Sequence, residues 1–195
     1  MLKIELGAVT DAPTVLNLTN HTYFNLAGED KEGTALNQVL QLNCSRYLVT
    51  NEDNVPTGEI ASVEGNPMDF TEPKVIGRDI KMDFPALNIG KGYDSCWVID
   101  GYEDGDMHLA AVLCDEVSGR KLEISTDQPA AQVYTGNWLE GCPISKSGKP
   151  YHDYDGVAIE CQGMPDAPNH DNFMSQVLRP NEEYRRTIIF DFQTI

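Results

Sequence analysis

Leu109-Ala110-Ala111-Val112-Leu113-Cys114-Asp115 and Lys121-Leu122-Glu123-Ile124-Ser125-Thr126, joined through Val117-Ser118-Gly119-Arg120, read as two strands about a tight turn. Short apolar runs on either side of a Ser-Gly turn are the pattern of a β-hairpin. Similar runs extend outward in both directions. Leu2, Ile4 and Leu6 alternate with polar residues, and Val15–Leu18, Val39–Leu42, Cys96–Ile99, Ala131–Tyr134, Val157–Ile159 and Thr187–Phe192 have strand length and composition. Turn clusters such as Asp11-Ala12-Pro13 and Asp104-Gly105-Asp106 separate them. Only Glu72–Met82 has room for a helical turn or two, and Pro73 and Gly77 limit it. The expected fold class is all-β, an antiparallel sandwich or barrel.

Two connections are long: one from about Tyr47 to Asn88, the other from Gly136 to Asp155. Loops of that length in a compact domain are usually functional or mobile. The 195 residues show no repeat or linker and are read as a single domain, 1–195. With 31 acidic against 14 basic residues the net charge is −17. That field repels nucleic acid and anionic membranes, so neither is expected as a partner, while a neutral small molecule feels little of it.

No apolar run is long enough to span a bilayer, and Met1–Leu6 alternates where a signal peptide would be continuously apolar. The five cysteines, Cys44, Cys96, Cys114, Cys142 and Cys161, form no Cys-x-x-Cys pair, which predicts reduced thiols, no zinc and a cytoplasmic location. The sequons at Asn17, Asn20 and Asn43 are then fortuitous. The acid-rich stretches Asp100–Asp106 and Asp153–Gly156 lack the ligand spacing of a calcium loop and read as solvated turns.

Four polar residues stand in apolar or aromatic surroundings. His21, in Asn20-His21-Thr22-Tyr23-Phe24-Asn25, is expected at a strand end, as a hydrogen-bonded structural histidine or a proton-transfer group. Glu160 follows Val157-Ala158-Ile159 at or near the end of a buried strand. There it serves a salt bridge, or burial raises its pKa. Asp94, after Gly92-Tyr93, is a turn-forming acid by default. Gln132 lies in an apolar strand, so its amide needs backbone or ligand partners.

Together these segments resemble the galactose mutarotase (aldose 1-epimerase) family. The resemblance rests on Thr14–Gly28, Pro56-Thr57-Gly58-Glu59-Ile60, Asp69-Phe70, Gly92-Tyr93-Asp94, Gln132–Asn137 and Ile159–Asn169, in the family's order. It implies a large antiparallel β-sandwich, the galactose mutarotase-like supersandwich. His21 falls on the family's general acid, Glu160 on its general base, and Asp94 and Gln132 on its sugar-binding positions. The implied ligand is a free aldohexose such as galactose or glucose, with no metal or organic cofactor. The implied chemistry is anomer interconversion: a base takes the C1 hydroxyl proton while an acid protonates the ring oxygen, and the roles reverse on closure.

The resemblance is incomplete. Family members are longer, and their Asn-Arg and Leu-His-Gly motifs do not occur here; His108, His152 and His170 match neither. The expectation is a fold truncated at its N-terminus, with Met1 just ahead of a strand suiting a shortened reading frame. Open sheet edges would then invite self-association or complementation by a second chain. The alternative in another class is a non-catalytic, lectin-like sugar-binding module or an inactive fragment. Trp97, Trp138, Tyr23 and Phe24 are the candidate stacking residues, although strand aromatics are usually core.

Overall fold

The computed structural model describes residues 1–29, 35–103 and 105–195. Asp104, in one of the two acid-rich stretches, lies outside them. The strands are β1 Leu2–Ala8, β2 Thr14–Val15, β3 Tyr23–Phe24, β4 Val39–Leu42, β5 Arg46–Thr50, β6 Pro56–Ser62 and β7 Lys74–Val75. They continue with β8 Asp94–Val98, β9 His108–Asp115, β10 Arg120–Thr126, β11 Ala130–Tyr134, β12 Val157–Gln162, β13 Val177–Leu178 and β14 Tyr184–Thr194. One α-helix, α1 Pro85–Gly90, is seen among the described residues.

Two six-stranded antiparallel sheets face each other, in the orders β1-β14-β10-β9-β4-β7 and β3-β12-β11-β8-β5-β6; β2 and β13 form a separate pair. The β9–β10 hairpin falls where the sequence places it, with a register shift at Ile124/Ser125. Its residues Leu113, Leu122 and Ile124 enter a core shared with Phe190 of β14 and with Trp97, Val133 and Ile159 of the facing sheet. Fully burying such side chains contributes roughly 1.5–3 kcal/mol each, before chain entropy is counted.

The expected strand at Val15–Leu18 reduces to Thr14–Val15. Beyond it the chain is held by side chains: Asn17 exchanges hydrogen bonds with the Gly163 backbone at both N and O, and Thr19 Oγ1 donates to the Cys161 carbonyl. The Tyr47–Asn88 connection is not a loop throughout, because it carries most of β5 and all of β6 and β7. Pro56 and Gly58 made β6 look irregular, but β6 is an edge strand, where a first-position proline leaves no ladder bond unmade. The helical signal in Glu72–Met82 yields one 3-10 turn at Ile76–Arg78, while α1 begins at Pro85, whose fixed φ suits a first helical position. The Gly136–Asp155 connection does contain no strand.

Candidate active site

Sheet register collects the polar residues. Gln132 of β11 lies opposite Glu160 of β12 and Cys96 of β8, while Tyr134 lies opposite Ala158 and Asp94. Cross-strand partners share a face, so two rows run across this sheet. One is Glu160–Gln132–Cys96. The other is Tyr23–Ala158–Tyr134–Asp94, completed by the pairing of Ala158 with Tyr23. Both rows point away from the shared core, which takes the alternate residues Ile159, Val133 and Trp97. Glu160 is the fourth of six strand residues, not the last, and is buried.

His21 is not on a strand. It precedes β3 by two residues, in the irregular segment that Asn17 and Thr19 pin beside β12. From there its Nε2 stands 3.4 Å from Glu160 Oε1, with the imidazole half-exposed. Its ring packs against Tyr23 and, edge-on, Tyr134. Gln132 donates Nε2 to Asp94 Oδ1 at 2.8 Å. All four residues singled out from the sequence therefore meet at one place.

The electrostatics follow from burial. Desolvation pushes the Glu160 carboxyl above the ordinary range, His21 pulls it back, and Asp94 adds to the rise. Asp94 is likewise raised by desolvation, opposed by the Gln132 hydrogen bond and by His21. A carboxylate raised in this way accepts a proton more readily than an exposed one. Glu160, Asp94 and Gln132 line a cavity of about 250 Å³ together with Leu48, Cys96 and Gln162. Among the described residues no cluster has the makings of a metal site.

Several site-building residues carried no recognisable chemistry in the sequence. Thr135 and Asn137 are buried; the Asn137 amide donates to the carbonyls of Gly90 and Tyr93, and Thr135 Oγ1 donates to Asn137 Oδ1. They fix the turn that delivers Asp94. A Cβ at Gly92 would stand 2.5 Å from Asn137 Oδ1, so this turn requires glycine. The spacing of the Gly-Tyr-Asp and Thr-Gly-Asn triplets was visible; that they lock together was not. Of the candidate stacking residues, Trp97 and Phe24 belong to the core, whereas Tyr23 and Trp138 are exposed at 42% and 62%. The Trp138 backbone amide donates to Tyr134 Oη, which places that tryptophan's backbone near the site.

A family model described as Aldose 1-epimerase matches residues 1–191. Galactose mutarotase of Homo sapiens is 38% identical over 191 residues, 98% of this chain and 54% of that protein. Aldose 1-epimerase of Escherichia coli K12 is 35% identical over 193 residues, again 54% of its own length. The chain thus spans about half the length of the curated relatives it matches. Among solved structures, an aldose epimerase homologue from C. elegans superposes with a TM-score of 0.84 at 28% identity, covering 99% of this chain and 56% of that one. Galactose 1-epimerase from Lactobacillus acidophilus gives 0.80 at 28% identity, covering 98% and 53%. The family model covers nearly the whole chain and the relatives and solved structures agree with it: the chain belongs to the aldose 1-epimerase family.

Proposed function

We propose that this chain interconverts the α and β anomers of a free aldohexose of the galactose or glucose type. The observation that carries the reading is the His21–Glu160 contact, an imidazole 3.4 Å from a buried carboxylate beside two further sugar-binding candidates. Glu160 takes the C1 hydroxyl proton as that oxygen becomes a carbonyl. Imidazolium His21 gives a proton to the ring oxygen as the C1–O5 bond breaks. Rotation about C1–C2 presents the other carbonyl face, and closure returns both protons with the roles exchanged. Each positioned transfer contributes roughly 10²–10⁴ in rate. Asp94, held by Gln132, accepts from sugar hydroxyls and limits the orientations the ring can take.

A cytoplasmic setting belongs to this reading, supported by five unpaired thiols. So does association through open edges: β1 and β3 end their sheets, and Leu2 and Phe192 are exposed on β1 and on its neighbour β14. A light-scattering mass above that of one chain supports association; one chain's mass at every concentration removes it.

The decisive measurement is polarimetry of freshly dissolved α-D-galactose with the purified protein. Equilibration faster than buffer, and proportional to protein, is expected. No acceleration sinks the catalytic reading, and calorimetric galactose binding alongside it would make the chain a non-catalytic sugar-binding module.

A further inference from the structure

Asp94 is gripped from two sides. Gln132 holds Oδ1 from β11, and on the other side Asn54, in the β5–β6 turn, brings Nδ2 to 3.2 Å from Oδ2 and 3.3 Å from the Asp94 carbonyl oxygen. Both partners of that amide nitrogen are acceptors, so the amide orientation is fixed, with Nδ2 toward Asp94 and Oδ1 away from it. The turn is built for this. Asn54 has a φ of 60°, in the left-handed region that asparagine tolerates better than most side chains. Its backbone amide donates to the Asn51 carbonyl, and Asn51 Oδ1 accepts from the amides of Asp53 and Val55.

The grip leaves two polar atoms over. Asn54 Oδ1 and Thr50 Oγ1 are buried and make no hydrogen bond. Such orphans are rare, because desolvating a polar group without a partner is unfavourable. Both residues line the cavity that Asp94, Gln132 and Glu160 also line. Neither atom is open to solvent as the side chains stand, so a ligand dense in hydroxyl groups would satisfy them on a small rotation of these side chains toward the cavity.

We infer that Asn54 is a positioning residue for Asp94 and that, with Thr50, it forms the hydroxyl-accepting wall of the sugar subsite. The inference rests on the proposed sugar chemistry for its ligand, though not for the hold on Asp94. Other titratable groups on this face are Glu160 of β12, Tyr134 of β11, Cys96 of β8, Tyr23 of β3, and His21 ahead of β3.

The test is a pH titration of the Asp94 carboxyl carbon by NMR in the full chain, for wild type, Asn54→Gly and Thr50→Val. Glycine readily adopts the left-handed backbone and removes the side chain that carries the amide, and urea unfolding checks that each variant folds. Loss of a donor to the carboxylate is expected to raise the Asp94 midpoint by about one unit in Asn54→Gly and to leave it in place in Thr50→Val. An unmoved midpoint in Asn54→Gly overturns the positioning role. Galactose is then titrated into the same samples. Each variant is expected to bind roughly three- to tenfold more weakly than wild type, and unchanged affinity in both overturns the wall. If wild type itself binds no galactose, the sugar chemistry and the wall fall together, while the carboxyl titration still decides the hold on Asp94.

Discussion

The segment Glu160–His170 takes part in two histidine–carboxylate pairs, one with His21 and one within itself. In the first, Glu160 meets His21; the carboxylate is buried, the imidazole is half-exposed, and 3.4 Å separates them. In the second, Asp166 meets His170 at 3.1 Å, the two residues flanking the 3-10 turn Ala167–Asn169. His170 Nε2 also lies 3.1 Å from the Pro56 carbonyl oxygen, and its ring packs on Phe173. A Cβ at Gly58 would stand 2.8 Å from His170 Nδ1, and Asn172 donates to the Gly58 carbonyl. The second pair is a clasp on edge strand β6. It explains why the Pro-Thr-Gly and Pro-Asp-Ala-Pro-Asn motifs occur together: one seats on the other. His170 is held by a carboxylate, a carbonyl and a ring, whereas His21 keeps an open face beside a single carboxylate.

The largest expected difference between the pairs is in rate. Glu160→Gln and His21→Ala should each reduce mutarotation by roughly 10²–10⁴, while His170→Ala should leave the rate constant per folded molecule within about twofold. Polarimetry at matched folded concentration checks this, and a His170→Ala loss as large as that of His21→Ala would erase the contrast. Next comes stability. His170→Ala removes a shared hydrogen bond and the packing on Phe173, for an expected destabilisation of about 1–2 kcal/mol by urea unfolding. His21→Ala, half-exposed, should stay within about 0.5 kcal/mol.

The smallest expected effect is in the pH dependence of stability. Burial raises the folded Glu160 and Asp94 carboxyls above their unfolded values. Between those values the folded chain binds more protons than the unfolded one, so these groups lower stability as pH rises from about 4. Glu160→Gln should therefore be more stable than wild type at neutral pH, with the advantage fading in acid. Unfolding at several pH values reads this directly, and an equal or larger advantage in acid would reverse the assigned sign.

Much of the second sheet was legible because its strands are apolar runs bounded by turns, and β8, β11 and β12 are where the sequence puts them. Their burial on both faces explains why Gln132 and Glu160 stood out: a polar side chain in such a run needs a reason, whereas Asp94 read as a turn acid and only the family resemblance marked it. β6 escaped because an edge strand is free of the rules that keep proline and glycine out of a sheet's middle. The helix escaped because its strongest signal, Pro85, follows a stretch that ends in a 3-10 turn. Asn54 escaped because its role depends on a partner on β8, and nothing local in Asn51–Val55 reveals that.

Sequence alone determined the fold class, the family, and the identity of the four polar residues, since each is written in local periodicity or in motifs read along the chain. Tertiary structure decided which of them touch. Sheet register set Glu160 against Gln132 and Asp94 against Tyr134, and the tether through Asn17 and Thr19 brought His21 over Glu160. It also decided which histidine is fastened and which is open, because that depends on burial and partners contributed by distant strands. Pairing across strands is a non-local contact, and no window of sequence contains both of its sides.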